Sequence, residues 1–206
     1  AIVREGYRAL LSKQPGMEVV AEASDGNQAY QLYKIHLPDV TIMDISMPAI
    51  SGIETIHRIK QRDPAAKILV FTMHQNPRFA EQALKAGALG YVTKSSPPEE
   101  LLYAISEVYS GRRVLSPDIA QAIALDKTIG DHQKALTPRE FEILRLLVAA
   151  KSKEEVANIL NISPKTVANC HYLIKNKLAV TNDVELTHWA IRMSLIDPNE
   201  ISGHDS

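Results

Sequence analysis

The sequence predicts a doubly wound α/β unit with a parallel sheet, followed by a smaller all-helical unit. Three observations carry that prediction. Across residues 1–110, short apolar runs alternate with amphipathic stretches of helical length. From Leu136 onward only helical periodicity remains. Between them, Gly130-Asp-His-Gln-Lys134 has no apolar period and reads as a connection.

Ile2, Tyr7, Leu10 and Leu11 recur at helical spacing and open the chain with a helix. After the turn signal Pro15-Gly16, Met17-Glu-Val-Val-Ala-Glu-Ala is a short β-prone run. Asp25-Gly26 starts a helix reaching about His36, and Pro38-Asp39 closes that connection. Val40-Thr-Ile-Met-Asp-Ile45 is apolar on both faces, as a parallel strand covered on both sides should be. A helix over 51–62, a strand over 67–73, a helix over 77–86, a turn between Gly87 and Gly90, a strand over 90–94 and a helix over 98–110 complete the unit. The pattern weakens over 111–134, a linker with enough apolar residues at Ile119 to Leu125 for a helical turn or two. Thr137-Pro138-Arg139-Glu140 then places an N-cap, a proline at the first helical position and an acid at N3. That helix carries Phe141, Leu144, Leu147 and Val148 on one face. A second runs over Lys153 to Leu160, and Asn161-Ile162 makes a tight turn. Ser163-Pro164 caps a third, Lys165 to Leu178, which buries Val167, Leu173 or Ile174, and Leu178. A fourth covers Val184 to Arg192. The expected division is 1–110, linker 111–134, helical unit 135–196 and tail 197–206.

Bulk properties narrow the function classes. Of 206 residues, 45% are hydrophobic and 23% charged, a globular composition that can fill two cores. Apolar runs such as Lys67 to Thr72 are too short to span a bilayer, and the N-terminus lacks the build of a secretory signal. Cys170 stands alone, which excludes an intrachain disulfide or a multi-cysteine zinc site, so a cytoplasmic protein is expected. Net charge is −1, but it is uneven: residues 163–180 hold Lys165, Lys175 and Lys177 with no acid. A local basic face of this kind suits phosphate binding even on a neutral chain.

In an open α/β sheet, ligand chemistry gathers beyond the carboxyl ends of the strands. Asp44, Thr72 and Lys94 each follow an apolar run and fall at such an end. Singly they read as a cap, a strand residue and a surface cation. Together they supply a carboxylate nucleophile with a hydroxyl and an ammonium for the oxygens of a transferred phosphoryl group. In the second unit, a helix, a tight turn and a capped helix form the frame that brings a helix N-terminus to a DNA major groove.

These residues carry a family resemblance. Asp44-Ile-Ser-Met-Pro48 with Gly52, then Phe71-Thr72, then Gly87-Ala-Leu-Gly-Tyr-Val-Thr-Lys94, closely resemble the receiver domain of two-component response regulators, a flavodoxin-like fold. The resemblance implies that Asp44 is the phosphoacceptor, that Thr72 and Lys94 contact the phosphoryl group, and that Tyr91 is the aromatic switch, turning inward as Thr72 moves. It also implies that Ser46 and His74 flank the attacking water and set the lifetime of the phosphoryl group. Leu136-Thr-Pro-Arg-Glu140, Glu155-Val-Ala157, Leu160 to Val167 and Lys177-Leu178 resemble the LuxR-type helix-turn-helix of NarL/FixJ regulators. Val184 to Arg192 looks closest to the GacA/UvrY subgroup. Carried over by position, Ala168, Asn169 and Tyr172 face the groove, while Lys165, Thr166 and Lys175 lie toward phosphates. Many relatives have lysine at Ala168, which leaves Asn169 as the best base-edge contact. Cys170 is expected to pack rather than react. Leu186, Trp189 and Ala190 are candidates for a dimer contact, with closure of the small core by Trp189 as the alternative.

One departure bears on the metal. The family holds Mg²⁺ with an acidic pair at the end of a first strand, expected upstream of Ala1. The sequence starts without methionine or that strand and reads as N-terminally truncated. Asp44 and the backbone carbonyl of Ser46 are then the remaining ligands, and one carboxylate holds a hard divalent ion weakly. The expected partners are double-stranded DNA, a sensor histidine kinase and a second copy of the chain when phosphorylated, with no membrane. Two other readings stay open: a regulator that binds DNA without phosphorylation, and an aspartate-based phosphohydrolase. The hydrolase is disfavoured because Ser46 stands where such enzymes usually carry a second acid.

Overall fold

The computed structural model describes residues 2–47, 50–129 and 136–196. The chain divides into two compact units: Ala1–Met73 with Gly87–Ser116, and His74–Ala86 with Pro117–Ser206. The 130–134 connection and the 197–206 tail of the sequence reading lie outside the described residues.

The α/β unit is built on four parallel strands, β1 (Thr41–Met43), β2 (Ile68–Thr72), β3 (Gly90–Thr93) and β4 (Val114–Leu115), in that spatial order. Helices α1 (Ile2–Ser12), α2 (Gly26–His36), α3 (Gly52–Arg62) and α5 (Pro98–Tyr109) belong to the same unit. β2 is buried along its length, which is why its sequence runs apolar without alternation. Leu69, Phe71 and Val92 pack with Leu101, Ala104, Ile105 and Val108 of α5, and α1 adds Tyr7 and Leu11. The Tyr7 ring meets Phe71 edge-on at 4.7 Å. Asp25 and Ser51 cap α2 and α3 by accepting the backbone N–H groups of Gln28 and Glu54.

Three expectations need correction here. The β-prone run over 17–23 pairs with no strand among the described residues. Val40 to Ile45 is not covered on both faces either: β1 is an edge strand, and Ile42 is 36% exposed. Both corrections have one cause. A trough of about 1010 Å³, lined by Tyr7, Leu11, Val19, Tyr33, Ile42 and Phe71 among others, stands beside β1. A ladder needs a neighbouring backbone within about 5 Å, and among the described residues only β2 pairs with β1. Third, the stretch read as a linker is largely regular. It contributes β4 and then α6 (Pro117–Ile129), a full helix rather than a turn or two.

The helical unit comprises α4 (Pro77–Ala86), α6, α7 (Pro138–Val148), α8 (Lys153–Leu160), α9 (Pro164–Leu178) and α10 (Asp183–Arg192). Its helix starts are heavily capped. Thr137 with Glu140 and Ser152 with Glu155 form reciprocal capping boxes, and Ser163 and Asn182 cap α9 and α10. The core is built by Ile143, Leu144, Val156, Leu160, Val167, Ile174, Leu186 and Trp189, all buried. Sequence periodicity assigns α4 to the sheet's helical layer, yet the helix packs with α6 and α7. Phe79 meets Phe141 edge-on at 5.3 Å, with His74 stacked behind Phe79 at 4.6 Å. Asn76 Nδ2 donates to the carbonyls of Met193 and Ser194 at 2.8 and 3.1 Å, and Gln82 Nε2 to that of Leu136 at 3.2 Å. Amide donors of α4 thus satisfy carbonyls near the end of α10 and the start of α7.

Candidate phosphoacceptor site and nucleic-acid interface

Asp44 directly follows β1 and Lys94 directly follows β3, with Thr72 the last residue of β2. Parallel register therefore delivers all three to one edge of the sheet, and the backbone N–H of Lys94 donates to the Thr72 carbonyl at 2.7 Å. Lys94 Nζ sits 2.5 Å from Asp44 Oδ2, and the Ser46 N–H donates to Asp44 Oδ1 at 3.0 Å. Both carboxylate oxygens are thereby oriented, while the Asp44 side chain stays 28% exposed. The Lys94 ammonium also lies 5.9 Å from the Phe71 ring centroid. A close approach shapes the loop after Asp44: a Cβ on Gly52 would fall 2.2 Å from the Asp44 carbonyl oxygen, so only glycine fits there. Such a carboxylate can act as an oxygen nucleophile, with Lys94 already placed to follow charge onto an incoming phosphoryl oxygen.

Thr72 is buried, and Tyr91 on β3 is wholly buried, its ring inside the protein. Ser46 is exposed. His74 is grouped with the helical unit, where it stacks on Phe79. Pro48 of the motif lies outside the described residues. Among the described residues the donor set falls short of Mg²⁺. Asp44 brings one carboxylate whose oxygens are engaged by Lys94 and the Ser46 N–H, and no cluster of three or more acids, histidines or cysteines stands among the described residues. An octahedral ion needs more oxygen donors than that.

In the helical unit, α9 presents two distinct faces. Val167, His171, Ile174 and Leu178 are buried at i, i+4, i+7 and i+11 spacing, so Ile174 rather than Leu173 takes the core position. Lys165, Thr166, Asn169 and Tyr172 are exposed along the opposite side, Tyr172 to 65%, while Ala168 is half-buried. The Ser163 hydroxyl accepts from the Thr166 N–H at 3.0 Å, which fixes the helix start. The run Thr137 to Glu140 is tied to both helices of the turn. Arg139 donates to the Leu160 carbonyl at the end of α8 at 2.9 Å, and Glu140 accepts from Lys177 near the end of α9 at 2.7 Å. Burial works to raise the Glu140 pKa, but the hydrogen bonds from Lys177 and Thr137 outweigh it and hold the carboxyl below its usual range.

Sequence reasoning missed the partners of two lysines. No acid lies within 163–180, yet Lys175 Nζ is 3.0 Å from Asp183 on α10, and Lys177 pairs with Glu140 on α7. Asp183 Oδ1 also meets His171 Nε2 at 2.9 Å. Burial, the larger influence, lowers the His171 pKa against the pull of Asp183. The signal was the i, i+4 pairing of His171 and Lys175 before an acid at a helix start. Cys170 is half-buried, and its thiol is pushed up by burial first and by the Glu140 charge, so it is poor in thiolate. The dimer candidates are also corrected. Leu186, Trp189 and Ala190 are 2%, 4% and 0% exposed, packed into the unit's own core and so withdrawn from contact with another chain. On α10 the exposed apolar residue is Val184, at 65%.

Comparison with known proteins agrees in both halves. Residues 1–106 match the family model described as response regulator receiver domain, and residues 134–190 match bacterial regulatory proteins, luxR family. The chain is 37% identical to the response regulator UvrY of Escherichia coli over 205 residues, covering 98% of this chain and 94% of that protein. It is 35% identical to the response regulator GacA of Pseudomonas aeruginosa, covering 95% and 94%. Among solved structures, RcsB from Salmonella enterica serovar Typhimurium, bound to promoter rprA with the phosphomimetic BeF3−, aligns with a TM-score of 0.71 at 29% identity over 91% of this chain and 92% of that one. A two-component response regulator of the LuxR family from Aurantimonas aligns with a TM-score of 0.60 at 54% identity, over 62% of this chain and 91% of that one.

Proposed function

The chain belongs to the two-component response regulators of the NarL/FixJ type, DNA-binding transcriptional regulators with a receiver and a LuxR-type domain, and from that premise we propose that phosphorylation of Asp44 controls DNA reading by α9. The observation that carries the phosphoryl half is the Lys94 ammonium seated on the Asp44 carboxylate at the carboxyl ends of the strands. A sensor histidine kinase would present a phosphorylated histidine. An Asp44 oxygen then forms the new O–P bond as the N–P bond breaks, and the imidazole nitrogen leaves with its electron pair. Lys94 transfers its charge from the carboxylate to a phosphoryl oxygen, and the Thr72 hydroxyl donates to another. Tyr91 fills the space that the movement of Thr72 opens. Ser46 flanks the line of attack of the water that later cleaves the O–P bond, so it sets the lifetime of the mark.

On DNA, Asn169 reads a base edge, with adenine the best geometric match, and Ala168 and Tyr172 contact the groove. Lys165, Thr166 and Lys175 hold phosphates. The support is the exposed, capped start of α9, whose opposite face is locked in the core. The phosphorylated protein pairs with a second copy on two half-sites. Across the chain, residues 1–110 serve as receiver and 135–196 as reader, with β4 and α6 between them. Among the described residues no helix is long and apolar enough to cross a membrane.

The test is phosphoryl transfer from a small-molecule donor such as acetyl phosphate, followed by a phosphate-affinity gel. Asp44→Asn should abolish the shifted band while leaving the far-UV spectrum unchanged, and a label that survives this exchange removes Asp44 from the role. Because the donor set beside Asp44 falls short of a Mg²⁺ site, the 206-residue polypeptide should label slowly. Rapid Mg²⁺-dependent labelling would contradict that geometry.

A further inference from the structure

The lysines of α9 are not equally available to DNA. Of the three, Lys165 is exposed and makes no ion pair with a described residue, whereas Lys177 is committed to Glu140 inside the unit. Lys175 stands between these cases. Its ammonium is held by Asp183, which is 68% exposed and so faces water beside the lysine rather than the core.

Asp183 is held in place from two directions. It is the first residue of α10, whose start is fixed by Asn182 accepting the Glu185 N–H at 2.9 Å and by Glu185 accepting from the N–H and hydroxyl of Thr181. From the other side, its Oδ1 meets the ring nitrogen of His171, a residue 6% exposed and locked in the face that α9 buries. A surface carboxylate on a free side chain would lose entropy on pairing with a lysine and gain little. Here the backbone and a buried imidazole have already fixed the carboxylate, so Lys175 alone is ordered by the pair.

We infer that Asp183 is an intramolecular stand-in for a DNA phosphate, which holds Lys175 in the free protein and lowers affinity for every DNA sequence alike. The inference rests on the reading of Lys175 as a phosphate contact. To reach a phosphate, the ammonium must leave or share the Asp183 oxygen. The carboxylate that remains also repels the DNA backbone at short range. Asp183 therefore tunes affinity without touching a base, and its removal strengthens binding, opposite to the usual loss on trimming an interface.

The experiment is a four-member cycle of the full chain, Asp183→Asn, Lys175→Ala and the double variant, titrated with a mixed-sequence DNA duplex over a range of salt concentrations. Asp183→Asn should tighten binding about two- to fivefold at low salt and steepen the dependence of log K on log salt by about one counterion. In the Lys175→Ala background most of that gain should vanish. Asp183→Ser, which also lacks the charge, should tighten binding as well, and thermal melting of each variant confirms folding. If Lys175→Ala weakens binding but Asp183→Asn leaves it unchanged or weaker, the stand-in role is wrong and the phosphate contact stands. If Lys175→Ala has no effect, the contact itself is wrong and the inference falls with it. An equal gain from Asp183→Asn with and without Lys175 reduces Asp183 to a general surface charge and overturns the proposal.

Discussion

The two sites of this protein that carry chemistry are positioned by different kinds of neighbour. Around α9, both faces of the helix are accounted for: one locked in a core, the other exposed, with its start capped and its end pinned by Glu140. Around Asp44, β2 and β3 supply Thr72 and Lys94, and a trough stands beside β1. A DNA-reading helix is positioned largely by neighbours close in sequence, through caps and short connections. A strand-end carboxylate depends on strands that come from distant parts of the chain.

Three measurements press on that contrast. The largest effect is expected from Glu140→Ala, which removes a charged acceptor from Lys177 and half of a capping box. It should destabilise the helical unit by about 2 kcal/mol, and a denaturant midpoint that does not move would show that α9 is held by its core face alone. The next concerns the flank beside the trough. The Thr41 hydroxyl on β1 is buried without a hydrogen-bond partner among the described residues, so Thr41→Val should stabilise the α/β unit by about 1 kcal/mol. Loss of stability instead would mean that the hydroxyl is satisfied in solution by water in the trough. The smallest effect is a pH dependence of the helical unit. His171 has its pKa lowered on folding, so the folded state favours the neutral ring. Its contribution is present above the ordinary value of 6.5 and is lost as pH falls through that value toward the folded one. Glu140, also lowered, adds a loss further down, below the usual carboxylate range. The melting temperature of the unit should thus fall on acidification from about pH 8 to about pH 5, and His171→Gln should flatten that slope.

Much of this was legible in the residues. Periodicity found the helices because each buries one stripe, and the order of Asp44, Thr72 and Lys94 after apolar runs foretold that all three stand at one edge of the sheet. Thr137 and Ser163 announced helix starts because a cap acts within three residues. What stayed hidden depended on contacts across the fold. Met17 to Ala23 has the composition of a strand, but composition cannot supply the neighbour that would make it one. The window from Ser163 to Val180 looks purely basic, yet acids from α7 and α10 neutralise two of its three lysines. For Leu186, Trp189 and Ala190 the sequence left a contact stripe and core closure by Trp189 both open, and packing buries all three in the unit's own core. Ile119 to Leu125 had too little amphipathic contrast to reveal the length of α6.

Anyone recombining modules from such regulators will cut where the sequence changes character, somewhere after residue 110. That cut leaves α4 with the donor of the α/β half. The Phe79 ring, the Asn76 amide and the Gln82 amide would then face a foreign α7 and α10, which were not shaped with them. A hybrid made this way inherits a mismatched joint even when each half folds well. Transplanting Asn76, Phe79 and Gln82 together with the reader module carries over the complementary surface, at the expense of three substitutions in the other parent. Modularity in this chain follows packing rather than the order of residues.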